Sequence, residues 1–307
     1  MDIFLQQVVN GLTLGAVYAV VALGYTMVYG IIQLINFAHG EVVMVGALVA
    51  YSVLGALAGG PLPPLAAVLA AACCAIPVCM GLGYAMERLA YRPLRGAPRL
   101  APLITAIGIS LILQHLAMLV WSRNNLAYPQ LVRTESYAIA GAEITNVQLA
   151  ILGLSLAMMA GLAFVVYRTR LGRAMRAAAQ NAQVARLMGV DVDRVVAATF
   201  VIGAALAAVA GVMVGSYYGI AHYAMGSLLG LKAFSAAVLG GIGNIPGAML
   251  GGLLLGVVEA LGAGYIGDLT GNVFGSNYQD VFAFIVLIGV LVLRPSGLLG
   301  ERVGDRA

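Results

Sequence analysis

The chain has 307 residues, 62% of them hydrophobic and only 9% charged, against roughly 25% charged in a soluble domain, so it cannot cover a water-facing surface with its own charges. A net charge of +4 and a pI near 9.0 would suit a nucleic-acid binder, but no basic face interleaved with aromatic residues occurs. What remains is an all-α membrane protein that crosses the bilayer many times.

A spanning helix needs about 20 mainly apolar residues. Such segments fall near 8–31, 38–58, 64–87, 101–121, 147–167, 195–217, 228–244, 247–266 and 279–293. The first follows Asp2, Gln6 and Gln7 without a basic n-region, so it reads as a span and not as a cleavable leader. Gly59–Pro64 is a turn. The weakest pair is 228–244 and 247–266, parted only by Ile245 and Pro246; a re-entrant half-helix there would shift the total by about one. The expected architecture is a Gly-rich bundle of about 8–10 transmembrane helices, a single transmembrane domain over 1–307.

Arginine placement orients the bundle. No lysine or arginine occurs before Arg88. Arg88, Arg92, Arg95 and Arg99 form one cluster, Arg168, Arg170, Arg173, Arg176, Arg186 and Arg194 a second, and Arg294, Arg302 and Arg306 a third. Cationic loops resist translocation, so the loops at about 88–100 and 168–194 and the tail 294–307 are expected on the cytoplasmic side. Residues 122–146, where Glu135 and Glu143 offset Arg123 and Arg133, form the main external loop. Parity then gives nine crossings, with the N-terminus outside and the C-terminus inside.

Forty glycines suit close helix approach, which replaces hydrophobic burial as the source of association in lipid. Gly243, Gly247 and Gly251 form one row at four-residue spacing, and Gly252 and Gly256 an adjacent one; a groove for another helix and a hinge both fit them. Cys73, Cys74 and Cys79 fall in one apolar segment, where they read as small packing residues without further metal ligands nearby.

Chemistry on the chain is sparse. The single lysine, Lys232, lies outside any phosphate-binding G-x-x-x-x-G-K-[ST] pattern, and neither an H-E-x-x-H helix nor a Ser/Lys dyad occurs. Intramembrane carboxylates are few: Glu41 and Glu259, with Asp280 near a helix end. A charge such as Glu41 costs about 2.5–3.5 kcal/mol at a helix centre, but near a helix N-terminus the helix dipole favours it. Structural anchoring and a place on a solute pathway both fit Glu41 and its neighbour His39. Asn36 is expected to cap the following helix, and Lys232 is a candidate partner for Glu259. Ala174–Met188 is rich in helix formers and Gly189 is a C-terminal stop. This short helix is either a docking element or an amphipathic segment on lipid headgroups.

Several motifs resemble one family along nearly the full length. They are Asn10-Gly-Leu-Thr-Leu-Gly15-Ala-Val-Tyr18-Ala, Ile35-Asn36-Phe37-Ala38-His39-Gly40-Glu41, Arg176-Ala-Ala-Ala-Gln180-Asn181, Leu187-Met188-Gly189, Gly230-Leu-Lys232-Ala-Phe234, Val238-Leu239-Gly240-Gly241 and Arg294-Pro295-Ser296-Gly297-Leu298. The chain is similar to the branched-chain amino acid ABC-importer permeases, LivH-type. Residues 173–194 look like the coupling loop of such importers, although the acidic first residue of the commoner EAA pattern is replaced by Arg176 or Ala177.

That resemblance implies a subunit of the bacterial inner membrane, not an enzyme, forming the pathway for leucine, isoleucine, valine or similar neutral amino acids. It implies a second permease subunit (a LivM-like chain or a second copy), two cytoplasmic ATPases and a periplasmic or extracellular solute-binding protein. No cofactor is expected on this chain; ATP and magnesium belong to the ATPases. Docking would fall on Arg176, Ala178, Gln180, Asn181, Ala185 and Gly189. The pathway or its polar network would fall on Asn36, His39, Glu41, Lys232 and Glu259. Urea or short amides are the alternative cargo, and an ion-driven carrier or channel the alternative class.

Overall fold

In the computed structural model, residues 2–98, 100–139, 141–269, 271 and 278–300 are described. Arg99, Arg302 and Arg306 of the arginine clusters lie outside them. The helices are α1 (Asp2–Ile32), α2 (His39–Leu57), α3 (Pro64–Met86), α4 (Leu100–Val120), α5 (Asn146–Arg168), α6 (Arg170–Gln180), α7 (Ala182–Leu187), α8 (Val192–Tyr218), α9 (Met225–Gly240), α10 (Ile245–Leu269) and α11 (Gln279–Leu293). A π-helical turn, Glu87–Tyr91, extends α3.

Among the described residues, seven helices, α1 to α5, α8 and α10, are long and apolar enough to cross a membrane. The apolar helices α9 and α11 have 16 and 15 residues, about 24 and 22 Å at 1.5 Å per residue, short of a hydrocarbon core of about 30 Å. The sequence expectation of nine full crossings therefore stands at seven long spans and two short apolar helices. Span 228–244 ends early because Gly241 and Gly243 adopt φ of +105° and +95°, left-handed values that terminate a helix.

The segment 122–146 is not featureless. Strands β2 (Ser136–Ile139) and β3 (Ala142–Thr145) form an antiparallel hairpin in the register Tyr137↔Ile144. Strand β1 (Leu126–Ala127) pairs with β4 (Ile220–Ala221), just after α8.

The chain divides into two compact units. The first comprises Met1–Thr26, Thr134–Ala157 and Lys232–Ala307; the second comprises Met27–Arg133 and Met158–Leu231. In the second, α2, α3 and α8 meet along small residues. A Cβ at Gly46 would strike the Ala208 backbone, one at Gly211 the backbone of Val43 to Ala47, and one at Gly83 the Ala204 side chain and Phe200 carbonyl. Without an apolar driving force between helices in lipid, such backbone approach maximises dispersion contact. The Cys79 thiol is buried there and donates to the Val42 carbonyl at 3.5 Å, whereas Cys73 and Cys74 lie on the exposed face of α3 and do not pack.

In the first unit α10 presents two glycine faces. Gly252 and Gly256 abut Ala19, Gly15 and Gly11 of α1, and Gly247 and Gly251 abut Gly240 and Ala236 of α9. Gly243 does not share that row. It lies in the turn between α9 and α10, where its positive φ serves the reversal. The segment after α11 folds back on this turn: Leu298 N–H donates to the Leu239 carbonyl at 2.9 Å and Leu299 N–H to the Gly240 carbonyl at 3.0 Å.

Candidate functional site

Within the first unit, Lys232 of α9 is the centre of a buried charge cluster. Its Nζ lies 2.7 Å from Glu259 Oε1 of α10 and 2.7 Å from Asp280 Oδ1 of α11. The Tyr18 hydroxyl of α1 donates to the same Glu259 oxygen at 3.3 Å and accepts from Lys232 at 3.4 Å. Glu259 is 1% exposed. Two donors on one oxygen offset part of what it costs to bury a carboxylate so deep. One lysine thereby links four helices.

The second unit holds Glu41, wholly buried in the first turn of α2. From α4, Gln114 Nε2 donates to its Oε1 at 2.7 Å and the Ser110 hydroxyl donates at 3.0 Å. Ser110 and Gln114 are four residues apart, one helical turn, so both reach the same point. The other carboxylate oxygen faces Gly226, where a Cβ would collide with it. His39 is buried at the start of the same helix.

Asn36 is not the cap of α2. Ala38 holds that position without a side-chain bond. The Asn36 Oδ1 instead accepts the Ala38 N–H at 3.1 Å and the Tyr91 hydroxyl at 3.0 Å, and its carbonyl accepts the His39 N–H at 3.0 Å. It orders the bend into α2 because its side chain can close an Asx-type turn.

Residues 168–194 form two helices, a correction to the single helix Ala174–Met188 read from sequence. Thr169 caps α6, accepting the Gly172 N–H at 3.1 Å. Asn181 breaks the run: its backbone is extended, and its side chain accepts the N–H groups of Gln183 and Val184, each at 3.0 Å. A local acceptor that satisfies the first N–H groups of α7 starts a new helix at no loss of hydrogen bonding. Gly189 follows α7 at φ +84°.

The expected docking residues divide by exposure. Ala178 and Ala185 are buried, so they seat the two helices and do not present a contact surface. Gln180, Asn181 and Gly189 are exposed. Arg176 is half-buried; its guanidinium donates to the Val166 carbonyl and sits 5.8 Å above the Tyr167 ring. Val184, Leu187 and Met188, absent from the sequence-based set, are the apolar residues on show, with Leu187 86% and Met188 79% exposed.

Glu87 and Asp193 went unassigned in the sequence, and Arg92 and Arg95 were read only as members of the first arginine cluster. Asp193 Oδ2 lies 2.7 Å from Arg92 Nη2, its Oδ1 pairs with Arg95, and Arg186 Nη2 is 3.4 Å away. Arg95 also pairs with the buried Glu87. The available signal was an acid at the end of an apolar span, eight residues before an arginine.

Among the described residues, seven helices of membrane-spanning length and apolarity, with two shorter apolar helices that share the Lys232 cluster, have the make-up of a polytopic membrane protein. The family model "Branched-chain amino acid transport system / permease component" matches residues 7–291. The chain is 51% identical over 305 residues to the high-affinity branched-chain amino acid transport system permease protein BraD of Pseudomonas aeruginosa, covering 97% of this chain and 96% of that one. It is 46% identical over 303 residues to the LivH permease protein of Salmonella typhimurium and 45% over 306 residues to that of Escherichia coli K12, again with 97% and 96% coverage. No solved structure matches. The chain therefore belongs to the branched-chain amino acid transport permease family: it is a multi-pass membrane permease component and not an enzyme.

Proposed function

We propose that this chain forms part of the membrane pathway of an ATP-driven importer for leucine, isoleucine, valine or similar neutral amino acids in the bacterial inner membrane. The arginine-rich segments face the cytoplasm and the hairpin-bearing segment 122–146 faces outside. Two ATPases dock beneath α6 and α7, holding the ATP and magnesium, while this chain carries no cofactor of its own. A second permease subunit completes the pathway, and an external binding protein delivers the amino acid.

The observation that carries this reading is the exposed cluster Val184, Leu187 and Met188 on a helix pair ended by Gly189. Leucine-sized apolar groups held in the open on a capped six-residue helix are costly unless a partner covers them. The membrane arm of a transporter without a nucleotide-binding loop has to receive force somewhere, and this surface suits that role.

Mechanistically, ATP binding would draw the docked helices, and through them α8 and the end of α3, toward a second arrangement. The cargo is released on the far side as the two arrangements alternate. Reconstitution tests the proposal. The chain, a second permease subunit, the two ATPases and the binding protein in proteoliposomes should accumulate radiolabelled leucine only with ATP on the ATPase side. Uptake driven by an ion gradient without the ATPases would replace this reading with that of a secondary carrier.

A further inference from the structure

In the second unit two sets of polar contacts, joined through the π-helical turn, run from α7 to the start of α2. Arg186 of α7 meets Asp193 at 3.4 Å. Asp193, in the first turn of α8, is shared with Arg92 at 2.7 Å and with Arg95. Arg95 also holds Glu87, the first residue of the π-helical turn. Tyr91, the last residue of that turn, donates to Asn36 at 3.0 Å, and its ring lies 5.0 Å from the Phe200 ring of α8. Asn36 orders the bend that leads into His39, Gly40 and Glu41.

We infer that these contacts are the mechanical relay of the transport cycle, with Asp193 and Tyr91 as its positioning residues and the π-helical turn as its switching element. The inference rests on the docking role proposed for α6 and α7. Three features of the geometry carry it. First, the contacts are unequal. Arg186 has the longest approach to Asp193 and is 59% exposed, so a partner covering α7 reaches it directly. Second, Glu87 is 1% exposed and is ion-paired with Arg95. Separating these two would strand a buried carboxylate, so Glu87 and Arg95 move together with Asp193.

Third, the hydrogen bond that closes the turn lies one residue away from the α-helical register. Arg92 N–H now donates to the Glu87 carbonyl at 2.8 Å, five residues back; in an α-helix it would donate to Arg88. π-helical turns of this kind recur at functional sites, and a relay needs an element with two discrete states that both ends can bias. A shift from one register to the other rotates Tyr91 relative to Asn36 and so re-aims the first turn of α2.

The test uses the complete importer complex, with leucine as probe and leucine transported per ATP hydrolysed as readout. Asp193→Asn should lower that ratio about tenfold while the ATPases still co-purify, and Asp193→Glu should restore most of it. Tyr91→Phe removes one hydroxyl, keeps the ring against Phe200, and should lower the ratio several-fold. An unchanged ratio in Tyr91→Phe overturns the relay even if Asp193→Asn fails to insert. Loss of ATPase co-purification in Asp193→Asn would make Asp193 a docking contact and also overturn it. A wild-type complex with no ATP-driven uptake would instead sink the functional reading itself, and the relay with it.

Discussion

Lys232 Nζ and Glu259 Oε1 lie 2.7 Å apart on consecutive helices, with the Tyr18 hydroxyl on the same carboxylate oxygen. Both side chains are almost wholly buried, so neither can trade its partner for water. Lys232→Met would leave Glu259 uncompensated and should cost about 3–5 kcal/mol, read as a fall in the thermal unfolding midpoint of the purified protein. The double variant Lys232→Met/Glu259→Gln should recover much of that loss. Equal destabilisation of the single and double variants would mean that the pair is not coupled.

Glycine content alone does not identify which glycines matter. A Cβ at Gly256 would run into the backbone of Gly15 and Gly11, which cannot turn aside, whereas Gly153 and Gly289 face open space. Gly256→Ala should cost about 1–3 kcal/mol through overpacking, and Gly153→Ala should be neutral or stabilising by up to about 1 kcal/mol. Expression level and unfolding midpoint of the purified variants distinguish the two sites.

The carboxylate of Glu41 relies on donors from α4. Gln114→Leu removes the shorter of its two hydrogen bonds and should cost about 1–3 kcal/mol, since a buried acceptor is left half-satisfied. Glu41→Gln keeps an acceptor for both donors and is expected to fold. If that variant folds yet loses uptake, charge at Glu41 serves the pathway; normal uptake assigns it to anchoring.

The break at Asn181 is a designed bend. Asn181→Ala removes the acceptor for two N–H groups and should cost about 1 kcal/mol of local stability. With the cap gone, α6 and α7 can merge into one rod and carry Leu187 and Met188 away from their present position. Co-purification of the ATPases should fall, while insertion, followed by expression in the membrane fraction, stays normal.

Some of this architecture was legible from residues and some was not. The spans were readable because an apolar run near 20 residues has few alternatives in a bilayer. Their exact number was not, because α9 stops at Gly240 for a reason of backbone conformation at Gly241 and Gly243. Spacing brought Gly243 into a packing row with Gly247, yet only one of them is helical. The segment proposed for docking was visible as a run of helix formers, but the capping by Asn181 that splits it is a local competition that composition conceals. Among site residues, Lys232 and Glu259 stood out because lone charges in apolar runs need partners. Asp193, Arg95 and Glu87 looked like ordinary loop and helix-end charges; only folding of the 105 residues between Glu87 and Asp193 shows them on one guanidinium.

The most direct check on the account is where Leu187 meets solvent. In a background with Cys73, Cys74 and Cys79 replaced by serine or alanine, Leu187→Cys is exposed to a membrane-impermeant maleimide in intact spheroplasts and in inverted vesicles. Labelling is expected in inverted vesicles alone, and protection when purified ATPase subunits are added back. Labelling from the outer face of intact spheroplasts would contradict the account, because no ATPase could then reach the helix pair that is meant to receive its force.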